Sequence, residues 1–189
     1  MRKKKASRPP ARQAKSGRIL RAKADSGDAH APAAMALIRA LRLYPHPEGG
    51  YYREMHRSTE KVETAKGSRP AMTTIYFLLA KGQKSVFHRV TSDEVWHFYA
   101  GSPLNLMRVM GDFSAMERVK LGPPGGGRRS MYVIPAGQWQ AAETAGDYSL
   151  VGCSVGPGFD FEDFTLMRDD AEAVARLTGA FPDMVKRIG

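Results

Sequence analysis

Apolar and polar residues alternate in short stretches along most of the chain, from about residue 50 to residue 167. Alternation with a period of two places successive side chains on opposite faces of a β-strand. Turns rich in glycine and proline separate these stretches. The pattern predicts ten strands, at 50–57, 72–80, 84–90, 94–100, 103–110, 115–121, 130–135, 138–143, 147–156 and 162–167.

Helical patterns occur only near the two ends of this strand-rich region. Residues 33–43 carry apolar side chains at helical spacing, and residues 169–177 begin with two aspartates, which suit the N-terminus of a helix. Many short strands without helices between them indicate a β-sandwich or barrel rather than a parallel α/β sheet. The expected fold class is therefore all-β, with short helices at the N- and C-terminal ends.

The first 31 residues have a different composition. They carry ten Lys and Arg against two Asp, which is +8 of the chain's formal charge of +10, and they contain few large apolar residues. Such a segment buries too little apolar surface to fold, so residues 1–31 are expected to be a disordered basic tail and 32–189 a single domain. The domain's remaining charge of +2 favours no nucleic-acid-binding face. Weak, salt-sensitive contact with nucleic acid is expected of the tail at most.

The cysteine content and the hydropathy pattern bear on location. A single cysteine, Cys153, excludes an intrachain disulfide and suits a reducing compartment. No apolar run reaches the roughly 18 residues that a membrane-spanning helix needs, and no apolar stretch follows the basic start as in a secretory signal. A cytoplasmic protein without membrane contact is therefore expected.

Two motifs in the strand-rich region resemble those of the cupin superfamily. Gly82-x5-His88-x-Val90-x3-Glu94-x6-Gly101 is similar to the first cupin motif, G-x5-H-x-H-x3-4-E-x6-G, with Val90 in place of the second histidine. Pro135-Ala136-Gly137-x2-Gln140 is similar to the second motif, P-x-G-x2-H, with Gln140 in place of the histidine. The resemblance implies a jelly-roll barrel, or double-stranded β-helix, with a small-molecule pocket at its mouth.

A wider resemblance covers about residues 36–168. It rests on four segments: 46–54 (His-Pro-Glu-Gly-Gly-Tyr-Tyr-Arg-Glu), 93–101, 133–140 and 150–161. These look like a family of small, single-domain cupins often labelled predicted sugar epimerases. The resemblance implies a homodimer, and the strand that carries Tyr51 and Tyr52 is a candidate for pairing across its two-fold axis.

The metal site of cupins, three histidines and a glutamate, is only half represented. His88 and Glu94 stand at ligand positions, whereas Val90 has no donor atom and Gln140 offers a weak neutral oxygen. His97 should face away from Glu94 by strand alternation unless a β-bulge re-aims it. No cofactor is therefore expected; if a divalent metal is bound, His88, Glu94 and Gln140 would hold it.

The resemblance to sugar epimerases implies acid–base chemistry. In those enzymes a histidine removes a proton next to a carbonyl and a tyrosine returns one, which makes His88 the candidate base, oriented by Glu94. Tyr52, Tyr76 and Tyr99 are the candidate acids, and no spacing rule chooses among them. The predicted catalytic set is His88, Glu94 and Tyr99. Ligand contacts are expected from Tyr52, Arg53, Trp96, His97, Phe98 and Gln140.

Three functions remain open at this point. The first is a metal-independent epimerase or isomerase acting on a small polar or sugar-like molecule. The second is a cupin that binds such a ligand without turnover, as a sensor or accessory protein, and the third is a metal-dependent oxygenase. Simpler roles are expected for some residues: barrel core for Trp96 and Phe98, loop or rim for His46, and a small buried apolar side chain for Cys153.

Overall fold

The computed structural model describes residues 31–189, so the basic tail predicted at 1–31 lies almost wholly outside the described residues. Within 31–189 the chain forms two α-helices and thirteen β-strands. The helices are α1 (Pro32–Ala40) and α2 (Ala171–Ala180). The strands are β1 (Tyr44–Pro45), β2 (Tyr51–Arg57), β3 (Lys61–Thr64), β4 (Gly67–Pro70), β5 (Thr73–Ala80), β6 (Lys84–Val90), β7 (Asp93–Gly101), β8 (Leu104–Val109), β9 (Met116–Leu121), β10 (Met131–Ile134), β11 (Trp139–Thr144), β12 (Tyr148–Gly156) and β13 (Phe164–Leu166).

Two antiparallel sheets make up the barrel. One has six strands in the order β1-β2-β5-β12-β7-β10, and the other has five in the order β13-β6-β11-β8-β9. From β5 to β8, and again from β10 to β13, consecutive strands alternate between the sheets, as in a jelly roll. The all-β prediction, with helices near the two ends, is confirmed.

The main core lies between the two sheets. Strand alternation turns one face of each sheet inward, and the buried side chains there include Phe77, Trp96, Leu106, Ile134 and Val151. Phe98 is partly buried against the same cluster. The outer face of the five-stranded sheet is covered by α2 and by a 3-10 helix, Pro182–Arg187, whose apolar residues pack on Phe87 and Trp139.

Two elements of the structure go beyond the sequence prediction. Strands β3 and β4 form a separate hairpin, which is largely exposed, so its sequence shows no alternation of apolar and polar residues. The 3-10 helix Pro182–Arg187 follows α2 with too few residues to show a helical period. Among residues 31–189, no helix is long and apolar enough to cross a membrane.

Candidate functional site

The loop between β1 and β2 brings two ionisable side chains into the barrel. It is closed by hydrogen bonds from the His46 amide to the Gly50 carbonyl and from the Gly49 amide to the His46 carbonyl, both 3.0 Å. It lies directly on β6, because the Val86 amide donates to the Glu48 carbonyl at 2.9 Å. Gly49, at φ +106°, comes so close to β6 that a Cβ there would be 2.1 Å from the Lys84 carbonyl oxygen. His46 and Glu48 are buried as a result.

Glu48 connects two imidazole rings. Its Oε2 lies 3.2 Å from Nε2 of His88 and 3.4 Å from Nδ1 of His46, and Ser85 donates to its Oε1 at 2.9 Å. Burial raises the pKa of Glu48 to about 8. Burial, with the nearby His88, lowers the pKa of His46 to about 3, and burial also lowers the pKa of His88. At neutral pH the three groups are therefore uncharged.

The hydrogen bonds define where the protons lie in this cluster. Nδ1 of His88 lies 2.9 Å from the Val86 carbonyl oxygen, which only accepts, so this nitrogen carries the ring proton. The lone pair of neutral His88 is then on Nε2, where the protonated carboxyl group of Glu48 donates to it. His88 thus has the form of a base, and its basic atom is covered by Glu48.

Glu94 lies on β7, two residues before Trp96 and on the same face. The Gln140 side-chain amide donates to Glu94 Oε2 at 2.6 Å, and the Trp96 indole N–H donates to Gln140 Oε1 at 2.8 Å. All three side chains are buried. Burial raises the pKa of Glu94, an effect that the nearby His88 partly opposes. Burial and Glu94 together raise the pKa of Cys153 well above its usual range, so Cys153 remains a thiol.

This arrangement does not fit the metal site that the resemblance to cupins implies. Gln140 turns its amide nitrogen toward Glu94 and its oxygen toward Trp96, so the amide presents no donor atom to an ion beside Glu94 and His88. Val90 supplies no ligand. Within residues 31–189, no three His, Cys, Asp or Glu side chains are arranged to hold a metal ion.

His88, Glu48 and Glu94 line a cavity of about 240 Å³ between the two sheets. Tyr52 reaches it from β2 and contacts His46 edge to face, with 4.6 Å between ring centroids. The other lining residues are largely apolar or lie toward the surface: His46, Glu54, Arg57, Thr73, Ile75, Phe77, Val90, Cys153, Val155, Phe159, Phe161 and Phe164.

An ion pair between Arg57 and Glu54, which we call the polar clamp, borders the exposed side of the cavity. Arg57 donates to both carboxylate oxygens of Glu54, at 3.0 and 2.7 Å, and to the Phe159 carbonyl at 3.1 Å. A register shift in β2 between Glu54 and His56 breaks the strand alternation, so that Glu54 and Arg57 both line the cavity. The clamp ties β2 to the segment that carries the three phenylalanines.

The structure brings together part of the predicted set. His88, Glu94 and Tyr52 line one cavity, and Gln140 is buried behind Glu94. Trp96 belongs to the core and acts on the site through Gln140, and Phe98 packs against the core without lining the cavity. Neither Trp96 nor Phe98 is therefore placed to contact a ligand in the cavity.

Three residues predicted for the site, Tyr99, His97 and Arg53, do not line the cavity, and His97 faces away from Glu94 as strand alternation predicts. Tyr99 and His97 are stacked on each other on the outer face of the six-stranded sheet, and Tyr99 is 50% exposed. The β7 bulge, seen as a register shift opposite Leu150 and Val151, lies beyond His97 and does not turn it inward. Arg53 follows Tyr52, so alternation turns it outward, where it donates to the Leu41 carbonyl at 3.1 Å.

Several cavity residues have a role that the sequence does not predict. His46 is expected in a loop or at the rim, yet it is buried beside Glu48, and the Gly49-Gly50 pair is the signal of a close backbone approach there. Cys153 lines the cavity instead of serving only as core packing. One wall of the cavity is formed by three phenylalanines just before and at the start of β13: Phe159, Phe161 and Phe164. Their close spacing in the sequence is the pattern from which this wall could have been predicted.

Comparison with known proteins agrees with this architecture. Residues 35–167 match the family described as "Cupin superfamily (DUF985)". An uncharacterized protein of the yeast Saccharomyces cerevisiae, YML079W, is 30% identical over 154 residues, which cover 72% of this chain and 76% of the yeast protein.

Two solved structures are similar over most of their length. A hypothetical protein from Leishmania major is 37% identical, with a TM-score of 0.72 over 82% of this chain and 96% of that one. Protein SO0799 from Shewanella oneidensis is 33% identical, with a TM-score of 0.71 over 82% of this chain and 95% of that one. The jelly roll, the cavity at its centre and the family match lead to one conclusion: this chain belongs to the cupin superfamily, in the family DUF985.

Proposed function

We propose that this cupin is a metal-independent isomerase or epimerase that moves a proton on a small, uncharged carbonyl compound such as a monosaccharide. The observation that carries the proposal is the neutral His88–Glu48 pair, buried in a ligand-sized cavity that Tyr52 also lines. A neutral imidazole is a competent base near pH 7, and a phenol is a proton donor.

The cavity limits the size and charge of the substrate. Its volume of about 240 Å³ is below the roughly 300 Å³ at which ordinary ligand pockets begin, so a nucleotide-linked sugar does not fit inside it. Two carboxyl groups, Glu48 and Glu94, stand at its inner end, and Arg57 is already paired with Glu54. Among the described residues that line the cavity, no free cation is left to balance the charge of an anionic substrate.

The proton step is balanced by two residues that reach the cavity from different sheets. His88 Nε2 takes the proton from the carbon next to the carbonyl, and the C–H electron pair forms the enolate. Tyr52 donates its phenolic proton to the same carbon from the other side, which inverts the centre. Burial, and the charge of Glu54, raise the pKa of Tyr52, so it holds this proton until the enolate needs it. Exchange with solvent then restores both residues.

Glu48 must leave Nε2 before His88 can act. Its Oε2 is 3.2 Å from His88 Nε2 and 3.4 Å from His46 Nδ1, so a small rotation transfers its hydrogen bond from one ring to the other. A ligand carbonyl or hydroxyl group that enters between Glu48 and His88 would favour this rotation. His46 Nδ1 now accepts a long hydrogen bond of 3.4 Å from the Glu48 backbone amide, and by exchanging it for the carboxyl proton it serves as the alternative acceptor that frees the base.

Ligand binding without turnover is the second candidate. It is favoured by the same contact, because Glu48 covers the only basic atom of His88 in the structure. In that case the cavity would bind the neutral ligand and no carbon-bound proton would exchange.

An NMR experiment in D2O separates the two functions. Protein treated with a chelator is mixed with small aldoses, ketoses and hydroxyketones, and both binding and loss of C–H signals are followed. We expect deuterium to enter at the carbon next to the carbonyl of the ligand that binds. His88→Gln should abolish exchange but retain binding, and Tyr52→Phe, which keeps the ring contact with His46, should allow exchange but slow epimerisation. Binding without exchange would establish the second candidate, and exchange that requires added metal would contradict the first.

A further inference from the structure

A second recess lies on the outer side of the five-stranded sheet. It has a volume of about 1000 Å³, is open to solvent, and is bordered by β8, β9, Glu143 of β11 and the 3-10 helix Pro182–Arg187. Among the described residues, none lines both this recess and the cavity of the proposed function. We call it the outer groove.

A buried arginine lines the outer groove with only part of its hydrogen bonds made. The Arg187 side chain is 9% exposed, and its Nη2 donates to Glu143 Oε1. Its Nε and Nη1 atoms have no partner among the described residues. A guanidinium group carries five N–H donors, and leaving buried donors unpaired costs free energy.

Arg69 shows how the same chain satisfies another buried arginine. Its Nε donates to Asp163 Oδ2 at 2.7 Å, and its Nη2 donates to Glu162 Oε2 at 3.2 Å. Two carboxylates therefore surround Arg69, whereas within residues 31–189 Arg187 is paired with one, Glu143. The difference indicates that Arg187 lacks an acceptor that Arg69 has.

Most of the charged side chains around the outer groove are positive, which suits a negatively charged acceptor. Arg118 and Lys120 project from the outer face of β9, and Lys186 lies beside Arg187. Four cationic side chains thus line the groove, against Glu143, which Arg187 already engages, and Asp183.

We propose that the outer groove binds a small molecule that carries an oxyanion, either a phosphate or a carboxylate. Its oxygens accept hydrogen bonds from the unpaired N–H groups of Arg187, which are buried and reach the ligand only when the guanidinium group turns toward the groove. Arg118 and Lys120 neutralise its charge. Met107 and Val185, which also line the groove, provide apolar contact for the rest of the molecule. This site is independent of the proton chemistry in the cavity.

The test is a titration of the full-length protein with inorganic phosphate, and separately with acetate, followed by ¹H–¹⁵N NMR at an ionic strength held constant with NaCl. We expect saturable shifts at residues 105–107, 118–120 and 182–187, and the stronger of the two probes identifies the preferred oxyanion. Arg118→Ser with Lys120→Ser should weaken binding about fivefold, since each exposed charge contributes less than about 1 kcal/mol. The control, Lys61→Ser with Lys81→Ser, makes the same change of charge at exposed lysines outside the groove and should leave binding unchanged.

Because Arg118 and Lys120 are exposed, their substitution tests the groove without disturbing the buried Arg187–Glu143 pair. Shifts confined to the basic residues 1–31 or to the cavity would overturn the proposal. Equal affinity of the two double variants, or shifts that do not saturate with either anion, would overturn it as well.

Discussion

Glu48 lies within reach of two imidazole rings, and all three groups are buried where charge is unfavourable. Burial raises the pKa of Glu48 to about 8 and lowers those of His46 and His88. The carboxyl proton is therefore retained in the folded protein at a pH where the unfolded chain has lost it. Folding stability and the protonation of this one side chain are linked.

The pH dependence of stability should change when Glu48 is replaced by glutamine. In the unfolded chain Glu48 ionises near pH 4.5, whereas the folded protein keeps the proton until about pH 8, so its contribution to stability falls as the pH rises between these values. Glu48→Gln has no proton to lose, and its amide can still donate to His88 and accept from Ser85. Relative to the unsubstituted protein, we expect the variant to gain on the order of 2–4 kcal/mol between pH 5 and pH 8.

Urea denaturation at pH 5, 6.5 and 8 measures this difference. Glu63→Gln, at an exposed position of the β3–β4 hairpin, is the matched control and should follow the unsubstituted protein at every pH. If the stability of Glu48→Gln also equals that of the unsubstituted protein at every pH, then Glu48 is ionised in the folded protein at neutral pH, and the description of the cluster as uncharged is wrong.

The loop from His46 to Gly50 acts as one element, because its contact with β6 places both His46 and Glu48. Gly49→Ala would bring a Cβ to 2.1 Å from the Lys84 carbonyl oxygen at a φ of +106°. We expect a loss of at least about 2 kcal/mol in the free energy of unfolding, together with loss of ligand binding in the cavity. Thermal and urea denaturation measure the first effect.

Gly82→Ala separates backbone strain from the close contact. Gly82 has a φ of +84°, but a Cβ at this position would meet nothing within 4 Å, so only the left-handed backbone is penalised, at about 1–2 kcal/mol. Equal losses in the two alanine variants would show that the loop does not press on β6 as described.

Strands β6, β7 and β11 bring the two cupin motifs together, and this convergence can be tested by building a metal site. His88 pairs with Gln140 in the sheet register, and Val90 lies two residues along on the same face. Val90→His with Gln140→His would provide three imidazoles and the Glu94 carboxylate. We expect the double variant to retain Zn, Mn or Ni in elemental analysis after dialysis, and Val90→His alone to retain much less. No gain of metal in the double variant would mean that the four positions do not converge.

The strands, and the position of His88 and Glu94 in one cavity, were predictable because both follow from local patterns: alternation for the strands, and fixed spacing for the motif. The roles of His46 and Glu48 were not, because they depend on a loop that packs on a strand some forty residues away in the sequence. The choice between Tyr52 and Tyr99 as the acid also depended on contacts between distant parts of the chain. Both lie on strands of one sheet, and only the register and the bulges determine which of them faces the cavity.

At the scale of the whole molecule, the six-stranded sheet presents an exposed apolar edge. Met131 and Val133 of the edge strand β10 are 54% and 42% exposed, and Tyr99 lies on the same sheet. The opposite edge is partly covered, since β1 pairs with Tyr51 and Tyr52 of β2, the strand that the sequence favours for pairing across a two-fold axis. We expect a homodimer through the β10 edge.

Light scattering at micromolar concentration should give twice the chain mass. Met131→Glu with Val133→Glu should shift the protein toward a monomer, whereas Met55→Glu, an exposed position on β2, should not. A monomeric unsubstituted protein would refute the expected assembly.

The central claim is that His88 is a neutral base covered by the proton of Glu48 in a cavity that needs no metal. A long-range ¹H–¹⁵N NMR spectrum of the imidazole rings tests it most directly, with His88 assigned by comparison with His88→Gln. At pH 7 we predict the neutral tautomer protonated on Nδ1, since this atom faces the Val86 carbonyl, with the same nitrogen shifts after a chelator or an equivalent of Zn²⁺ is added. A doubly protonated ring, or an Nε2 shift that follows the metal, would contradict the account.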